Sequence, residues 1–247
     1  MKADTTAAAL EVEDVKKEFI TDAGPVRAVN GISLEVAAGT SLAITGESGC
    51  GKSTLLSMLG ALEAPSEGRV SIAGEEVSEM AEEQRARMRR ERIGFVFQSH
   101  NLQPFLTAVE NISLQLSLAG ANEECDDSLE LLASLGLAEA ANKYPDQLSG
   151  GERQRIAVAR ALVHQPSLIL ADEPTGSLDV DNSRTVIDLL CEARAESGAT
   201  LIVITHDPAV ARRLDREIKL KDGREVVGGQ APMPVPLLTA VEGGSSV

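Results

Sequence analysis

The nine residues from Gly46 to Thr54, GESGCGKST, have the types and spacing needed to hold a chain of phosphates. Glycines let the backbone turn so that successive N–H groups point at an anion, and a helix that starts there adds unsatisfied donors. Lys52 would place its charge on the β- and γ-phosphates, and the Ser53 hydroxyl would ligate Mg²⁺. The candidate nucleotide-binding residues are therefore Gly46, Glu47, Ser48, Gly49, Cys50, Gly51, Lys52, Ser53 and Thr54.

Two adjacent carboxylates, Asp172 and Glu173, follow the apolar run 167–171, which is typical of a buried strand. Beside a phosphate-binding loop, such a pair at the carboxyl end of a strand indicates a Mg²⁺ ligand and a neighbouring general base. The alternative is an N-cap pair for the next helix. Residues 174–176, Pro-Thr-Gly, keep the following chain irregular, which favours the catalytic interpretation.

Two further polar residues end apolar strand candidates. Gln98 follows the run 93–97, and His206 follows the run 200–205. Both are expected at the edge of the sheet where ligands of α/β proteins bind. A lone histidine is commonly structural, but at this edge a contact from His206 to the γ-phosphate is the favoured interpretation.

The pentapeptide 148–152, LSGGE, has two interpretations. Ser149 and Glu152 have the spacing of a capping box, which would start a helix running from about Arg153 to Val163. Two consecutive glycines, Gly150 and Gly151, would also leave the backbone amides approachable by an anion. A capping box alone would not require two consecutive glycines.

The elements that position these residues alternate between strands and helices. Strand 41–45, the loop and helix 54–59 give the context that a phosphate-binding loop requires. Ahead of them, segments 10–19 and 26–36 predict an antiparallel hairpin. Phe19 in this hairpin is as consistent with a core residue as with an aromatic that stacks on adenine.

The remaining segments complete an α/β fold. Strand-like residues 69–73 precede a charged helix over 82–92, and Asp-Gly within 221–224 predicts a tight hairpin. Between 99 and 150 the apolar residues recur at helical period, which predicts an inserted helical subdomain. The expected organisation is a disordered N-terminus (1–9), a domain over 10–227 and a flexible tail (228–247).

The composition of the chain limits the classes of function that it can have. The 247 residues carry a formal charge of −15 and only 2% aromatics, which disfavours binding to nucleic acid through bulk charge or base stacking. Three separated cysteines predict a reducing compartment. The sequence shows no apolar core of a signal peptide and no long apolar run, so we expect a cytosolic protein.

The ordered set of motifs resembles the nucleotide-binding domain of ATP-binding-cassette (ABC) transporters, over about residues 10–227. The matching segments are GESGCGKST at 46–54, FVFQ at 95–98, LSGGE at 148–152, LILADEP at 168–174, SLD at 177–179 and ITHD at 204–207. The resemblance implies a P-loop NTPase of the ABC type with an N-terminal antiparallel β subdomain. LSGGE carries the most weight because it is the family's own signature.

The resemblance also implies roles at the site. Ser53, Gln98 and Asp172 would surround the metal, with Glu173 polarising the attacking water. In the family two copies face each other, so that Ser149, Gly150 and Gly151 of one cover the ATP of the other. Asp179 would couple the two sites. Phe19 is similar to the adenine-stacking aromatic, which favours that interpretation. The implied catalytic residues are Glu173, His206 and Gln98.

The implied partners are a second copy of the chain in the ATP-bound state and a separate membrane permease, which would hold the chain at the inner face of the cell membrane and dock near 98–104. The contexts 171–179 and 93–111 are most similar to the subgroup that serves lipoprotein release, macrolide or peptide export and cell division. The alternatives are an importer ATPase and a slow ATP-gated scaffold. A soluble ABC protein acting on ribosomes or DNA would usually carry two cassettes or a long coiled-coil insertion.

Overall fold

A computed structural model describes residues 8–22, 24–120 and 125–226. The expected N-terminal and C-terminal extensions, 1–9 and 228–247, fall almost wholly outside these ranges. The strands are β1 (Ala8–Thr21), β2 (Gly24–Ala37), β3 (Ser41–Gly46), β4 (Glu67–Ile72), β5 (Glu75–Glu76), β6 (Ile93–Phe97), β7 (Leu168–Asp172), β8 (Thr200–Ile204), β9 (Arg216–Lys221) and β10 (Arg224–Glu225). The helices are α1 (Lys52–Leu59), α2 (Glu82–Arg92), α3 (Ala108–Ala119), α4 (Cys125–Ser134), α5 (Gly150–Leu162), α6 (Val180–Ser197) and α7 (Pro208–Ala211).

The central sheet has the order β10-β9-β3-β8-β7-β6, and β9, β3, β8, β7 and β6 run parallel. Its inner strands are continuous apolar runs because both faces are covered. Leu42 and Ile44 point into a core shared with α1, while Ala43 points into a core shared with α6. Parallel register places the carboxyl ends of β3, β6, β7 and β8 at one edge.

The antiparallel sheet has the order β2-β1-β4-β5. The predicted hairpin is present as β1 and β2, in which Phe19 pairs with Val26. Alternate residues of the hairpin, among them Leu10 and Ile32, are buried against α1 and the central sheet. The predicted Asp-Gly turn is also present between β9 and β10, with Asp222 and Gly223 both at positive φ.

A helical region lies between β6 and β7 and contains α3, α4 and α5, which share a third apolar core. Thr107 caps α3 through a capping box with Glu110. We predicted that the helix after LSGGE would begin at about Arg153, but α5 begins at Gly150. The difference arises because the Ser149 cap fixes the first turn and thereby outweighs the low helix propensity of two glycines.

Within the described ranges, no helix is both long enough and apolar enough to cross a bilayer. The charged helix α2 has ion pairs at helical spacing, Glu82 with Arg85 and Arg87 with Glu91. These pairs lie on the surface, where each stabilises the fold by about 0–1 kcal/mol.

Candidate active site

The loop between β3 and α1 is enclosed by neighbouring backbone. Gly51 is the N-cap of α1 and has a φ of 100°, a conformation that side chains rarely adopt. A Cβ on Gly51 would also collide with the carbonyl group of Ala28 on β2. The Gly223 N–H donates to the Cys50 carbonyl at 3.0 Å, and a Cβ on Gly223 would lie 2.9 Å from the same Ala28 carbonyl oxygen. The loop is therefore packed against β2 and against the turn between β9 and β10.

Lys52 folds back over the loop that precedes it. Its Nζ donates to the carbonyl oxygens of Gly46 at 2.9 Å and Glu47 at 2.8 Å, and the residue is only 8% exposed. Cys50 differs from its neighbours, because its thiol is buried in the apolar core beside Gly46 and does not line the cleft. Only the backbone of Cys50 is thus available to a ligand.

Asp172 ends β7 beside the loop. Burial raises the pKa of the Asp172 carboxyl above its usual value, and the hydrogen bond from Ser53 and the charge of Lys52 oppose that rise. The nearby Glu173 carboxylate raises the Asp172 pKa further. The site therefore concentrates negative charge at the edge of the sheet, which favours a bound cation.

Replacing Asp172 with asparagine is expected to raise the melting temperature modestly at neutral pH. An aspartate with a raised pKa binds more protons folded than unfolded, so its charge destabilises the fold above that pKa. The gain should be full above the folded-state pKa and absent below the unfolded-state pKa of about 3.9. Thermal denaturation of both proteins across this pH range is the measurement. A melting-temperature difference that grew as the pH fell would contradict the assignment.

Glu173 and His206 are in direct contact. His206 Nδ1 lies 2.9 Å from Glu173 Oε2, with the Glu173 side chain 17% exposed and that of His206 71% exposed. Glu173 has a φ of 47°, uncommon for a residue with a side chain, and its N–H donates to the Ile204 carbonyl at 3.0 Å. The end of β8 thus fixes the backbone of Glu173, and His206 fixes its carboxylate.

These residues line one open cleft of about 670 Å³. Its lining brings together most of the residues predicted from the sequence and adds Ala28 and Ile204. The lining residues are Ala28, Gly46, Glu47, Ser48, Gly49, Gly51, Lys52, Ser53, Thr54, Gln98, Asp172, Glu173, Ile204 and His206. The cleft has the groups needed to hold a polyphosphate and a cation and to polarise a water molecule.

Besides Cys50, five predicted residues lie outside this lining. Phe19 is on β1, 40% exposed, with Lys17 Nζ 5.4 Å from its ring centroid. Ser149, Gly150 and Gly151 form the first turn of α5, where Ser149 accepts a hydrogen bond from the Glu152 N–H. Asp179 is the N-cap of α6. A single chain therefore does not place the α5 turn or Asp179 on the lining of its own cleft.

Sequence reasoning missed the supports of the loop. Ala28 on β2 and Gly223 in the turn between β9 and β10 contact the loop backbone. The Asp-Gly turn marked Gly223 as a turn residue but gave no signal for its contact with Cys50. Ile204 was identified only as part of an apolar strand.

Comparison with known proteins identifies the architecture. The family model described as "ABC transporter" matches residues 29–176. The chain belongs to the ABC transporter family. The predicted family, fold and ATPase class are thereby confirmed.

The relatives of this ABC cassette include proteins of two kinds. It is 42% identical over 219 residues to the lipoprotein-releasing system ATP-binding protein LolD of Xanthomonas oryzae pv. oryzae, covering 88% of the chain and 90% of that protein. It is 46% identical over 217 residues to the macrolide export ATP-binding/permease protein MacB of Hyphomonas neptunium, covering 87% of the chain. The cassette spans only 34% of the length of that MacB protein.

Among solved structures, the cassette is similar to a dimer of the ATP-binding cassette MJ0796 bound to ADP and Pi. The TM-score is 0.85 at 37% identity, and the match covers 92% of this chain and 100% of the other. A second dimeric structure of MJ0796, a bacterial ABC transporter cassette, matches equally well at 38% identity. These likenesses extend over both sheets and the helical region.

Proposed function

We propose that this ABC ATPase binds MgATP in the cleft above the loop and energises a separate membrane permease. The observation that carries the proposal is the contact between Glu173 and His206 at the mouth of the cleft that holds Lys52, Ser53 and Asp172. A base held by a second residue beside a phosphate-binding loop suits hydrolysis, which an ATP-gated clamp would not need.

ATP and Mg²⁺ fit the groups present. The loop amides and Lys52 would hold the phosphates. Ser53 and Asp172, which both line the cleft, would hold Mg²⁺ together with phosphate oxygens, and Gln98 would respond to the metal and to water. Among the described residues, no group of three or more Asp, Glu, His or Cys side chains is arranged to hold a metal ion. The metal would neutralise charge developing on the phosphates.

Glu173 is the proposed general base. Its carboxylate would accept a proton from the water that attacks the γ-phosphate, while His206 orients the carboxylate and contacts the γ-phosphate. The Glu173 N–H is hydrogen-bonded to the carbonyl of Ile204, the last residue of β8. The Glu173 backbone therefore needs little movement as the water approaches.

A second copy of the chain would complete each site. Ser149, Gly150 and Gly151 do not line the chain's own cleft, and a Cβ on Gly150 would meet no atom closer than 4.0 Å, so the turn is open to a ligand at Gly150. In a head-to-tail pair the turn would cover the partner's ATP, with Asp179 coupling the two sites. Phe19 would stack on the adenine. The dimers of the similar MJ0796 cassette support this arrangement.

Replacing Ser149 with alanine tests the shared site. We expect kcat for ATP hydrolysis to fall about 10- to 100-fold, because one hydrogen bond to a charged phosphate is lost. Affinity for ADP on the loop should stay within about twofold of wild type. Steady-state ATPase assays and titration with a fluorescent ADP analogue measure the two quantities.

Thr107→Ala is the matched control, because Thr107 caps α3 through the same capping box with Glu110. Both substitutions should reduce stability by about 0.5–2 kcal/mol. Only the Ser149 variant should lose turnover. Equal losses of kcat in both variants, or equal losses of kcat and ADP affinity in Ser149→Ala, would contradict the shared site.

The permease would dock in the groove between the central sheet and the helical region. Apolar side chains of both, including Phe95, Phe97 and Leu118, line this groove of about 300 Å³ near Gln103. Docking there would place the chain at the inner face of the membrane. The LolD and MacB relatives support an export or mechanotransmission role in the lipoprotein and macrolide subgroup.

A further inference from the structure

One side chain, that of Asn182, joins the N-terminal halves of α5 and α6. Its Oδ1 accepts a hydrogen bond from Arg155 Nη1 at 3.0 Å, and its Nδ2 donates to Asp179 Oδ2 at 2.7 Å. Arg155 belongs to α5, and Asp179 is the N-cap of α6. The amide therefore bridges the two elements that, in the proposed dimer, would both face the partner's nucleotide.

Asn182 also packs on the second signature glycine. A Cβ on Gly151 would lie 2.6 Å from Asn182 Cγ, and the three atoms nearest to it all belong to the Asn182 side chain. A Cβ on Gly150 would meet only Arg153 Nη2, at 4.0 Å. The two glycines thus differ: Gly150 is open to a ligand, whereas Gly151 is glycine because Asn182 occupies the space of a side chain.

We infer that Asn182 is a positioning residue that fixes the α5 turn and Asp179 relative to each other within one subunit. The inference rests on the proposed function, in which Ser149 and Asp179 act on the partner's site. If Ser149 and Asp179 are held in a fixed relative position, both would reach the partner's site in one geometry when the dimer closes. No separate step would then be needed to order them. Asn182 makes none of the contacts that line the cleft of its own subunit.

The N-cap of α6 does not depend on the Asn182 side chain. Asp179 Oδ1 accepts its capping bond from the Asn182 backbone N–H at 2.8 Å, which an alanine retains. Asn182→Ala should therefore remove the bridge and leave the helix start in place. This separation makes the residue suitable for a functional test.

The test uses the full chain and four proteins: wild type, Asn182→Ala, Arg155→Ala and the double variant. We expect kcat for ATP hydrolysis to fall about tenfold in Asn182→Ala, with ADP affinity within about twofold of wild type. Arg155→Ala should show a similar loss. The double variant should be no slower than the slower single variant, because both substitutions break the same bridge.

Thr185→Ala is the matched control on α6. The Thr185 side chain is exposed, and its hydroxyl bonds only the Asp181 carbonyl of the same helix. Its kcat should equal that of wild type. A wild-type kcat in Asn182→Ala, multiplied losses in the double variant, or a loss of ADP affinity equal to the loss of kcat would each overturn the inference. A wild-type chain unable to hydrolyse ATP would overturn the proposed function and this inference with it.

Discussion

Replacing Glu173 with glutamine is expected to lower kcat for ATP hydrolysis by about 10²- to 10⁴-fold, the range typical for loss of a general base. Glutamine has nearly the same shape but cannot accept a proton from the attacking water. Because Lys52 and Ser53 remain in place, ADP affinity on the loop should stay within about twofold of wild type. Steady-state hydrolysis and ADP titration measure the two effects.

The same variant should accumulate as a dimer. If two copies enclose ATP and only hydrolysis separates them, Glu173→Gln with MgATP will elute as a dimer in size-exclusion chromatography, whereas with ADP it will elute as a monomer. Glu192→Gln is the control, because it makes the same chemical change on the exposed face of α6. Wild-type turnover by Glu173→Gln would show that another group accepts the proton.

The convergence of the site could be predicted because it follows from strand order and chain direction. Gln98, Asp172 and His206 each lie at or just after the carboxyl end of a buried parallel strand, and parallel strands bring such ends to one edge of a sheet. The loop was predictable for a local reason: its glycines, Lys52 and Ser53 are contiguous in sequence. Neither prediction required knowledge of a side-chain contact.

The side-chain contacts within the site could not be predicted because they join residues that are distant in the sequence. The bond between His206 and Glu173 spans 33 residues, and its length depends on where β7 and β8 end relative to each other. The positive φ of Glu173 depends on the same register. A pattern of residue types predicts that two side chains reach one edge, but their distance is set by packing.

The α5 turn, which contains Gly150 and Gly151, shows a second reason why contacts could not be predicted. From the sequence, both glycines were interpreted through ligand access, but Asn182 packs on Gly151 from 31 positions later in the chain. A requirement for glycine is visible in a sequence, whereas the atom that imposes it is not. The helix start was misplaced for a related reason, because the Ser149 cap outweighed glycine propensity.

Replacing Lys52 with alanine should lower affinity for ATP and ADP by about 100-fold or more, since each charge-assisted hydrogen bond to phosphate contributes about 1.5–3 kcal/mol. The loss should appear in binding itself, unlike that of Glu173→Gln, because the Lys52 ammonium would contact the phosphates in the ground state. Titration with a fluorescent ADP analogue measures it. Lys221→Ala, which removes an exposed lysine from β9, controls for the change in net charge.

The structure also predicts that Lys52→Ala is less stable than wild type in the absence of nucleotide. Lys52 Nζ bonds the carbonyl oxygens of Gly46 and Glu47, so alanine leaves both without this donor and loosens the turn. We therefore expect Lys52→Ala to melt at a lower temperature than Lys221→Ala even in nucleotide-free buffer. Arginine should not restore binding, because its planar guanidinium cannot replace an ammonium enclosed by the loop. Full ADP affinity in Lys52→Arg would show that charge alone, without this enclosure, is sufficient for binding.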